Sequence, residues 1–218
     1  MAGPTPRSYN TSEIKSRLLN VATPNTYMVK FTPPSQVQSL MAERGVNYSS
    51  NGETFELACL GISTPDTSFL THSVQADYHG VTQEIPYRRG YSNEIELRFL
   101  VDNNYDILEF FESWVDWMSG VGTRGTTNDF NYGSMNYRAS YYNHYITDLY
   151  LTKFEKDVSI DSRIINSRQS KKAIEYRMIQ AYPKAINSME LGYGPASGPL
   201  ELSVTFGYTR YTQKRITV

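Results

Sequence analysis

Cysteine is almost absent from this sequence, which has one, Cys59, in 218 residues. A single thiol cannot form a disulfide framework within the chain, and no group of cysteines has the spacing of a structural zinc site. Cys59 lies in the apolar run FELACLGI, so we interpret it as a small buried hydrophobic residue. His72, His79 and His144 are too scattered to suggest a metal centre. We therefore expect no cofactor and no metal.

An excess of charge of one sign is also lacking, because 21 Lys and Arg are balanced by 22 Asp and Glu. A protein that binds nucleic acid electrostatically would have a clear basic excess. No apolar run approaches the ~18 residues of a transmembrane helix. The N-terminal MAGPTPRSYN lacks the apolar segment of a secretory signal. We therefore expect a protein without a membrane anchor that is made in a cytoplasm.

Motifs of catalytic chemistry are missing as well. The sequence has no G-x-S-x-G, no Walker loop and no H-E-x-x-H. GVGTRG at 120–125 matches the dinucleotide pattern G-x-G-x-x-G, but it follows a predicted helix instead of a strand, so we interpret it as a loop. Glu94 and Glu96 could imitate a catalytic carboxylate pair, although a solvated or interface face suits them better. The protein is predicted not to be an enzyme.

Tyrosine, in contrast, is abundant, with 18 residues. It favours strands, and its polar hydroxyl suits partly buried surfaces. This composition indicates a β-rich protein with interfaces. Tyrosines can also stack on single-stranded nucleic acid, but that function needs a basic groove, which the charge balance does not support.

Alternation of apolar and polar residues predicts seven or eight β-strands. The clearest are residues 93–101 and 200–208. Residues 73–88 also alternate, and Gly80 and Pro86 within them indicate a bulge and an edge strand. Further strands are predicted at 25–31, 54–63, 142–155, 172–183 and 189–193.

One strong helix is predicted at residues 104–118, because apolar residues recur there at helical spacing. Asn103 or Asn104 can cap its start, and Gly120 follows its end. The apolar stripe consists of Ile107, Phe110, Phe111, Trp114, Val115 and Met118.

Shorter helices are predicted at 13–21 and 35–45. In the second, Ser35 and Gln38 fit a capping box, and Gly45 fits a C-terminal cap. Polar segments are predicted as loops at 46–53, 119–136 and 156–171. One strong helix among many strands indicates a single mainly β domain over the whole chain, either a sandwich or a barrel.

Four stretches follow one another in a particular order: TPNTYMVKF, FELACLGISTPD, the run from ADYHGV to WMSG, and the ending MIQAYPKAINSMELGYGPASGPLELSVTFGYTRY. Together they resemble the tail tube protein family of contractile-tail (myovirus-type) bacteriophages over most of residues 25–211. The ending carries that family's aromatic-Pro-Lys turn. The sequence departs from shorter members at 33–53 and 156–171. It also has an N-terminal segment, 1–24, and a tail, 212–218, beside the β core.

The resemblance implies a fold of two orthogonally packed antiparallel β-sheets flanked by one α-helix. It implies hexameric rings stacked into a hollow tube, with phage DNA passing through the lumen and a contractile tail sheath protein outside. Further partners would be the baseplate tube initiator and the tail terminator, and the location would be the virion tail after assembly in the host cytoplasm. Alternatives are the tube of a bacterial contractile injection system, a baseplate tube initiator or a tail-associated enzyme. An initiator usually adds a domain for which this chain has no room.

The N-terminal segment and one or more long loops, including 119–136, are expected to stack the rings. Two further sets of residues are candidates for functional surfaces. DNA must slide through the lumen, so a neutral or acidic wall is expected, since each Lys or Arg at a phosphate adds affinity. The lumen candidates are Gln75, Asp77, Glu94 and Glu96. The alternative is that these residues face neighbouring subunits.

The predicted helix also has an acidic strip on its polar side, formed by Glu109, Glu112 and Asp116. These carboxylates are neighbours at i+3 and i+4 with no Lys or Arg between them, and such pairs cost a few tenths of a kcal/mol each. We expect this acidic strip to dock a basic element of the sheath. The alternative is a solvated helix face.

Overall fold

A computed structural model of the chain describes residues 22, 24–46, 48–74, 80–120, 139–154, 172–189, 191–192 and 198–217. The strands are β1 (Tyr27–Phe31), β2 (Cys59–Ile62), β3 (Thr67–Val74), β4 (Gln83–Tyr91), β5 (Glu94–Leu100), β6 (Thr147–Phe154), β7 (Lys172–Ile186), β8 (Glu201–Gly207) and β9 (Arg210–Thr217). The α-helices are α1 (Ser35–Glu43), α2 (Tyr48–Leu57) and α3 (Asp106–Ser119), and Tyr142–His144 forms a 3-10 turn. The predicted mainly β fold is confirmed. Of the three α-helices in the described residues, α1 and α3 were predicted and α2 was not.

Seven strands form one antiparallel sheet in the order β1-β6-β7-β8-β5-β2, with β9 also paired to β7, and β3 and β4 form a separate two-stranded sheet. The long strand β7 serves both halves of the large sheet. Its residues 173–181 pair with β6, and its residues 182–186 pair with β8. Gln180 lies between these halves with a φ of 57°, a backbone conformation that bends the strand. The Asp148 carboxylate accepts a hydrogen bond from the Gln180 N–H at 3.3 Å and holds this bend.

Strands β8 and β9 follow one another along the same edge of β7. Tyr182 is opposite Gly207, and Ile179 is opposite Arg210, so the register continues across the short break between the two strands. The tail 212–218 is therefore part of the fold as far as Thr217.

The core lies between the large sheet and α3. Phe31 is at its centre, with rings of both sheet and helix at centroid distances of 5.9–6.4 Å. Those rings belong to Phe99, Phe110, Phe111, Trp114 and Phe206. The Trp114 indole also donates a hydrogen bond to the Tyr145 carbonyl at 2.9 Å, so its one polar group is satisfied. The predicted stripe of α3 faces this core, with Val115 and Met118 half-buried at its border.

The first and last strands of the large sheet approach each other, so the sheet curls towards a barrel. The Tyr27 hydroxyl on β1 donates to the Cys59 carbonyl on β2 at 3.1 Å. Cys59 is buried as predicted, and burial raises the pKa of its thiol to about 11.

Two parts of the prediction are wrong in the segment between β1 and β3. The predicted loop 46–53 and the first part of the predicted strand 54–63 form helix α2. Aromatic packing stabilises this helix, because Tyr48 and Phe55 both contact the Phe110 ring, at 5.8 and 4.9 Å. These contacts are with α3, which lies far along the chain, so local alternation could not indicate them.

The region predicted as one strand at 73–88 is wrong in another way. The structure has two paired strands there, β3 and β4, and β3 begins earlier, at Thr67. The register of the hairpin shifts between Leu70 and Thr71, whose partners are Arg88 and Pro86, so the irregularity lies beside Pro86 and not at Gly80. The predicted strand 189–193 is also wrong at its described residues, because Met189, Leu191 and Gly192 have no regular secondary structure, and Glu190 and Tyr193 lie outside the described residues.

The predicted helix ends are right at the glycines and wrong at the starts. Gly45 and Gly120 have φ of 89° and 78° and end α1 and α3 as expected. Helix α1 starts after Pro34 without a side-chain cap, since Gln38 donates to the carbonyl of Pro33 instead. Helix α3 starts after Tyr105, whose φ is 62°, and not after an asparagine. The predicted helix 13–21 and the loop 156–171 lie outside the described residues, as does 119–136 beyond Gly120.

Candidate assembly surfaces

The β3–β4 hairpin projects from the body of the protein. Its two strands pair from Thr67 opposite Tyr91 to Val74 opposite Gln83. Every residue of β3, and every residue of β4 before Gly90, is exposed to solvent. A two-stranded hairpin alone in water is marginally stable, so packing against other parts of a protein stabilises such an element.

One face of the hairpin carries an apolar strip, which we define as Leu70, Val74 and Ile85. Their side chains are 46%, 44% and 46% exposed. Leu70, His72 and Val74 are alternate residues of β3, so their side chains lie on one face of the hairpin. Ile85 is opposite His72 and Arg88 is opposite Leu70, so both lie on the same face. The other face is largely polar, with Phe69 near its root as an exception.

The hairpin is attached to the body by an aromatic cluster at its root. The Arg89 guanidinium lies 5.0 Å from the Tyr91 ring and 5.3 Å from the Tyr211 ring, and it donates to the Tyr211 hydroxyl at 3.0 Å. Tyr91 and Tyr211 also contact each other edge to face at 5.5 Å. An open cleft of about 530 Å³ lies beside this cluster, between the hairpin root and β9.

A second apolar surface, which we call the leucine patch, lies at the other end of β5. It consists of Leu57, Leu60 and Leu100, which are 80%, 46% and 36% exposed. The Leu100 N–H donates to the Ala58 carbonyl at 2.9 Å, which brings the end of α2, the start of β2 and the end of β5 together. Glu201 is the cross-strand partner of Leu100 and borders the patch.

The acidic strip of α3 is partly neutralised by a residue that directly follows α1. Arg44 follows the end of α1, and its guanidinium contacts Asp116 at 2.6 Å and Glu109 at 3.4 Å. It also donates to the hydroxyl of buried Ser113 at 3.3 Å. The sequence shows no cation along this helix face, because Arg44 reaches it from a distant part of the chain.

Glu112 lies between the two paired carboxylates and has no ion pair within the described part of the chain. Its pKa is raised by burial and then by the neighbouring Asp116 and Glu109, while Arg44 opposes the shift. Among the described residues, Glu112 is therefore the member of the acidic strip without a direct ion pair.

The candidate lumen residues fall into two groups. Gln75 and Asp77 lie outside the described residues. Glu94 and Glu96 are exposed on β5, and the Lys184 ammonium forms an ion pair with Glu94. Hydrogen bonding to Glu94 raises the pKa of Lys184. The exposed face of β5 therefore has one carboxylate in an ion pair, and one for which the described residues supply no ion pair, instead of an acidic pair.

Within the described ranges, no group of His, Cys, Asp and Glu residues could hold a metal ion. The helices there are also too short or too polar to cross a membrane. What this part of the chain presents is a packed β body with a projecting hairpin and uncovered apolar patches. These are the features of a structural protein that assembles with other chains.

The chain belongs to the phage tail tube protein family, whose pattern it matches over residues 22–214. No curated protein matches it. Its fold is similar to a chain in the sheath-tube complex of an extracellular contractile injection system (PVC) in the extended state, with 12% identity, a TM-score of 0.50, and coverage of 96% of this chain and 100% of that one. It is also similar to a chain of the anti-feeding prophage baseplate, with 10% identity, a TM-score of 0.50, and coverage of 89% and 96%.

Proposed function

We propose that this protein is the structural subunit of a phage tail tube, in which hexameric rings stack into a hollow conduit for DNA inside a contractile sheath. The observation that carries the proposal is the exposed β3–β4 hairpin. It has 46%-exposed Leu70 and Ile85 on one face and contacts the body at its root. Such an arm gains stability when another subunit covers it.

The edge of β9 supports assembly in a second way. Among the described residues β9 pairs with β7 and with no other strand, so its outer edge is open. Open edges tend to pair with other chains unless something covers them. A neighbouring subunit in a ring would cover this edge. A contact between two different surfaces of neighbouring subunits forms a closed ring when the rotation between them closes. When the rotation does not close, the contact repeats along an axis.

The lumen would be neutral to weakly acidic. Glu94, Glu96, Gln75 and Asp77 remain the candidates for its wall. The ion pair between Glu94 and Lys184 supports this view, because a cation held by a carboxylate is less available to a phosphate. DNA would then pass without being bound, and the protein would have no catalytic role.

The acidic strip of α3 would contact the sheath, with Glu112 as its main contact because Arg44 already pairs with Glu109 and Asp116. Exposed ion pairs contribute ~0–1 kcal/mol each. Weak contacts repeated along the tube would hold an extended sheath by avidity and still release it during contraction. Glu112→Lys tests this more sharply than changing all three carboxylates, since it leaves the Arg44 contacts in place. Tubes should form from this variant, and extended sheath should not assemble on them; normal sheath assembly would reject the contact.

The ends of the tube would meet a baseplate tube initiator and a tail terminator.

A second candidate function is the tube of a contractile injection system, which the fold likeness to the PVC sheath-tube complex favours. Particles isolated from producing cells separate the two, because nuclease-protected DNA in filled heads joined to the tails indicates a phage, and headless particles indicate an injection system.

Negative-stain electron microscopy of the purified protein tests the central proposal. We expect rings or rods, either alone or after addition of a tube-initiating partner. Particles that stay monomeric at high concentration, even beside such a partner, would rule out a tube subunit.

A further inference from the structure

We propose that the apolar strip of one copy docks on the leucine patch of a second copy in the next ring. The inference rests on the proposed tube function and names the two surfaces that join successive rings. Both surfaces lie on the same chain, and the residues that define them are exposed.

The two surfaces lie at opposite ends of β5. Strand β4 ends at Tyr91 and β5 begins at Glu94, so the hairpin joins the body at the Glu94 end. Leu100 ends the same strand, and its N–H bonds to the carbonyl of Ala58, which lies between Leu57 and Leu60 in the chain. The seven residues of β5 separate the two ends by roughly 20 Å.

The hairpin cannot reach the leucine patch of its own chain. Its residues 67–74 and 83–89 are exposed, so it does not fold back over the body. Eight paired residues extend it by roughly 25 Å beyond its root. The leucine patch that it can meet is therefore the one at the far end of another copy.

Charge is complementary at the two surfaces. Arg88 lies beside the apolar strip, opposite Leu70. Glu201 borders the leucine patch, and its contact with Arg98 is long, at 3.8 Å. Docking the strip on the patch would bring Arg88 of one copy towards Glu201 of the next.

The symmetry of such a contact suits a tube. The strip and the patch are different surfaces, so their contact is heterologous. Two copies joined by this contact still have one free strip at one end and one free patch at the other. A contact of this kind repeats without closing along an axis. Each added ring would present the same surfaces to the next.

Cysteine cross-linking tests the contact directly. Chains with both Ile85→Cys and Leu60→Cys are assembled into tubes, oxidised with diamide and run on a non-reducing gel. We expect a ladder of covalent multimers, while each single variant should give no ladder. Cys59 stays in place, because its thiol is buried with a pKa raised to about 11 and reacts slowly. The matched control is Ile85→Cys with Leu191→Cys, since Leu191 is 79% exposed and lies outside the leucine patch.

Replacing one apolar residue on each surface by a charged residue gives a second, independent measurement. Ile85→Asp and Leu60→Lys should each shorten the tubes at least roughly tenfold, since one lost contact of ~1.4 kcal/mol already changes an equilibrium tenfold. Single rings should persist, and an equimolar mixture of the two variants should form short stacks of alternating rings. Tubes that form from the double-cysteine chain without a ladder, or that keep normal length in both charge variants, would overturn this contact and leave the tube function standing. Failure of the wild-type chain to form rings would instead overturn the tube function.

Discussion

Helix α3 and the β3–β4 hairpin both carry large apolar side chains, but those of α3 are buried and those of the hairpin are exposed. In the core, Phe110 and Trp114 are 0% exposed, whereas on the hairpin Phe69 is 62% and Tyr87 is 66% exposed. The core residues are satisfied within one chain. The hairpin residues are exposed, which is why our proposal places intersubunit contacts there. The comparison predicts that changes in the core act on folding and changes in the hairpin act on assembly.

The largest effect is expected in the core. Phe110→Ala removes a ring that contacts Phe31, Tyr48 and Phe55, and it should lower the free energy of unfolding by about 3–5 kcal/mol. The matched hairpin variant, Phe69→Ala, should change it by less than about 0.5 kcal/mol. Urea denaturation of the two unassembled variants measures both. Equal losses would break the distinction between the two regions.

An intermediate effect on the free energy of unfolding is expected for Arg44, in comparison with Arg88 on the hairpin. Arg44→Ala leaves the Ser113 hydroxyl and two carboxylates of α3 without their partner, so it should cost about 1–3 kcal/mol. Arg88→Ala on the exposed hairpin should leave the free energy of unfolding unchanged. Denaturant titration of the pair tests this, and a negligible loss for Arg44→Ala would mean that α1 is held to α3 by apolar packing alone.

A smaller effect is expected at the hairpin root. Tyr211→Phe removes the hydroxyl that accepts from Arg89 and keeps the ring contacts, so it should weaken attachment of the hairpin by about 1 kcal/mol. Amide hydrogen exchange in β3 and β4 should become roughly fivefold faster, with exchange in β5 unchanged. If β5 also exchanged faster, the hairpin and the body would form one cooperative unit.

The smallest effect concerns Glu112. Its pKa lies above the ordinary value of 4.5, so the folded protein holds this proton more tightly than the unfolded chain does. The tighter binding of this proton stabilises the folded protein at pH values below 4.5. This stabilisation is lost as the pH rises through the raised pKa of Glu112. Glu112→Gln should therefore be more stable than the wild type by a few tenths of a kcal/mol at pH 7. The gain should vanish below about pH 4 in thermal melts at both pH values. A gain that persists in acid would point to a cause other than the charge.

Prediction from the sequence succeeded where one face of an element is buried. The alternation in β5 and β8 and the stripe in α3 predicted which residues enter the core, because burial on one side imposes a period of two or 3.6. It failed for α2, whose helical form depends on rings of another helix. It also failed for β3, which has no buried face in the single chain. The acidic strip was visible, but Arg44 was not, since 72 residues separate it from Asp116.

The sequence by itself determined the mainly β class, the core face of α3 and the glycines that end α1 and α3, because each depends on neighbours within a few residues. The tertiary structure alone decided that β7 bends at Gln180 to serve both halves of the sheet and that Arg89 meets Tyr211 across 122 residues. It also decided that the apolar strip and the leucine patch lie at opposite ends of one strand. These relations join residues far apart in the chain, and their geometry follows from how the whole body packs, which local periodicity does not encode.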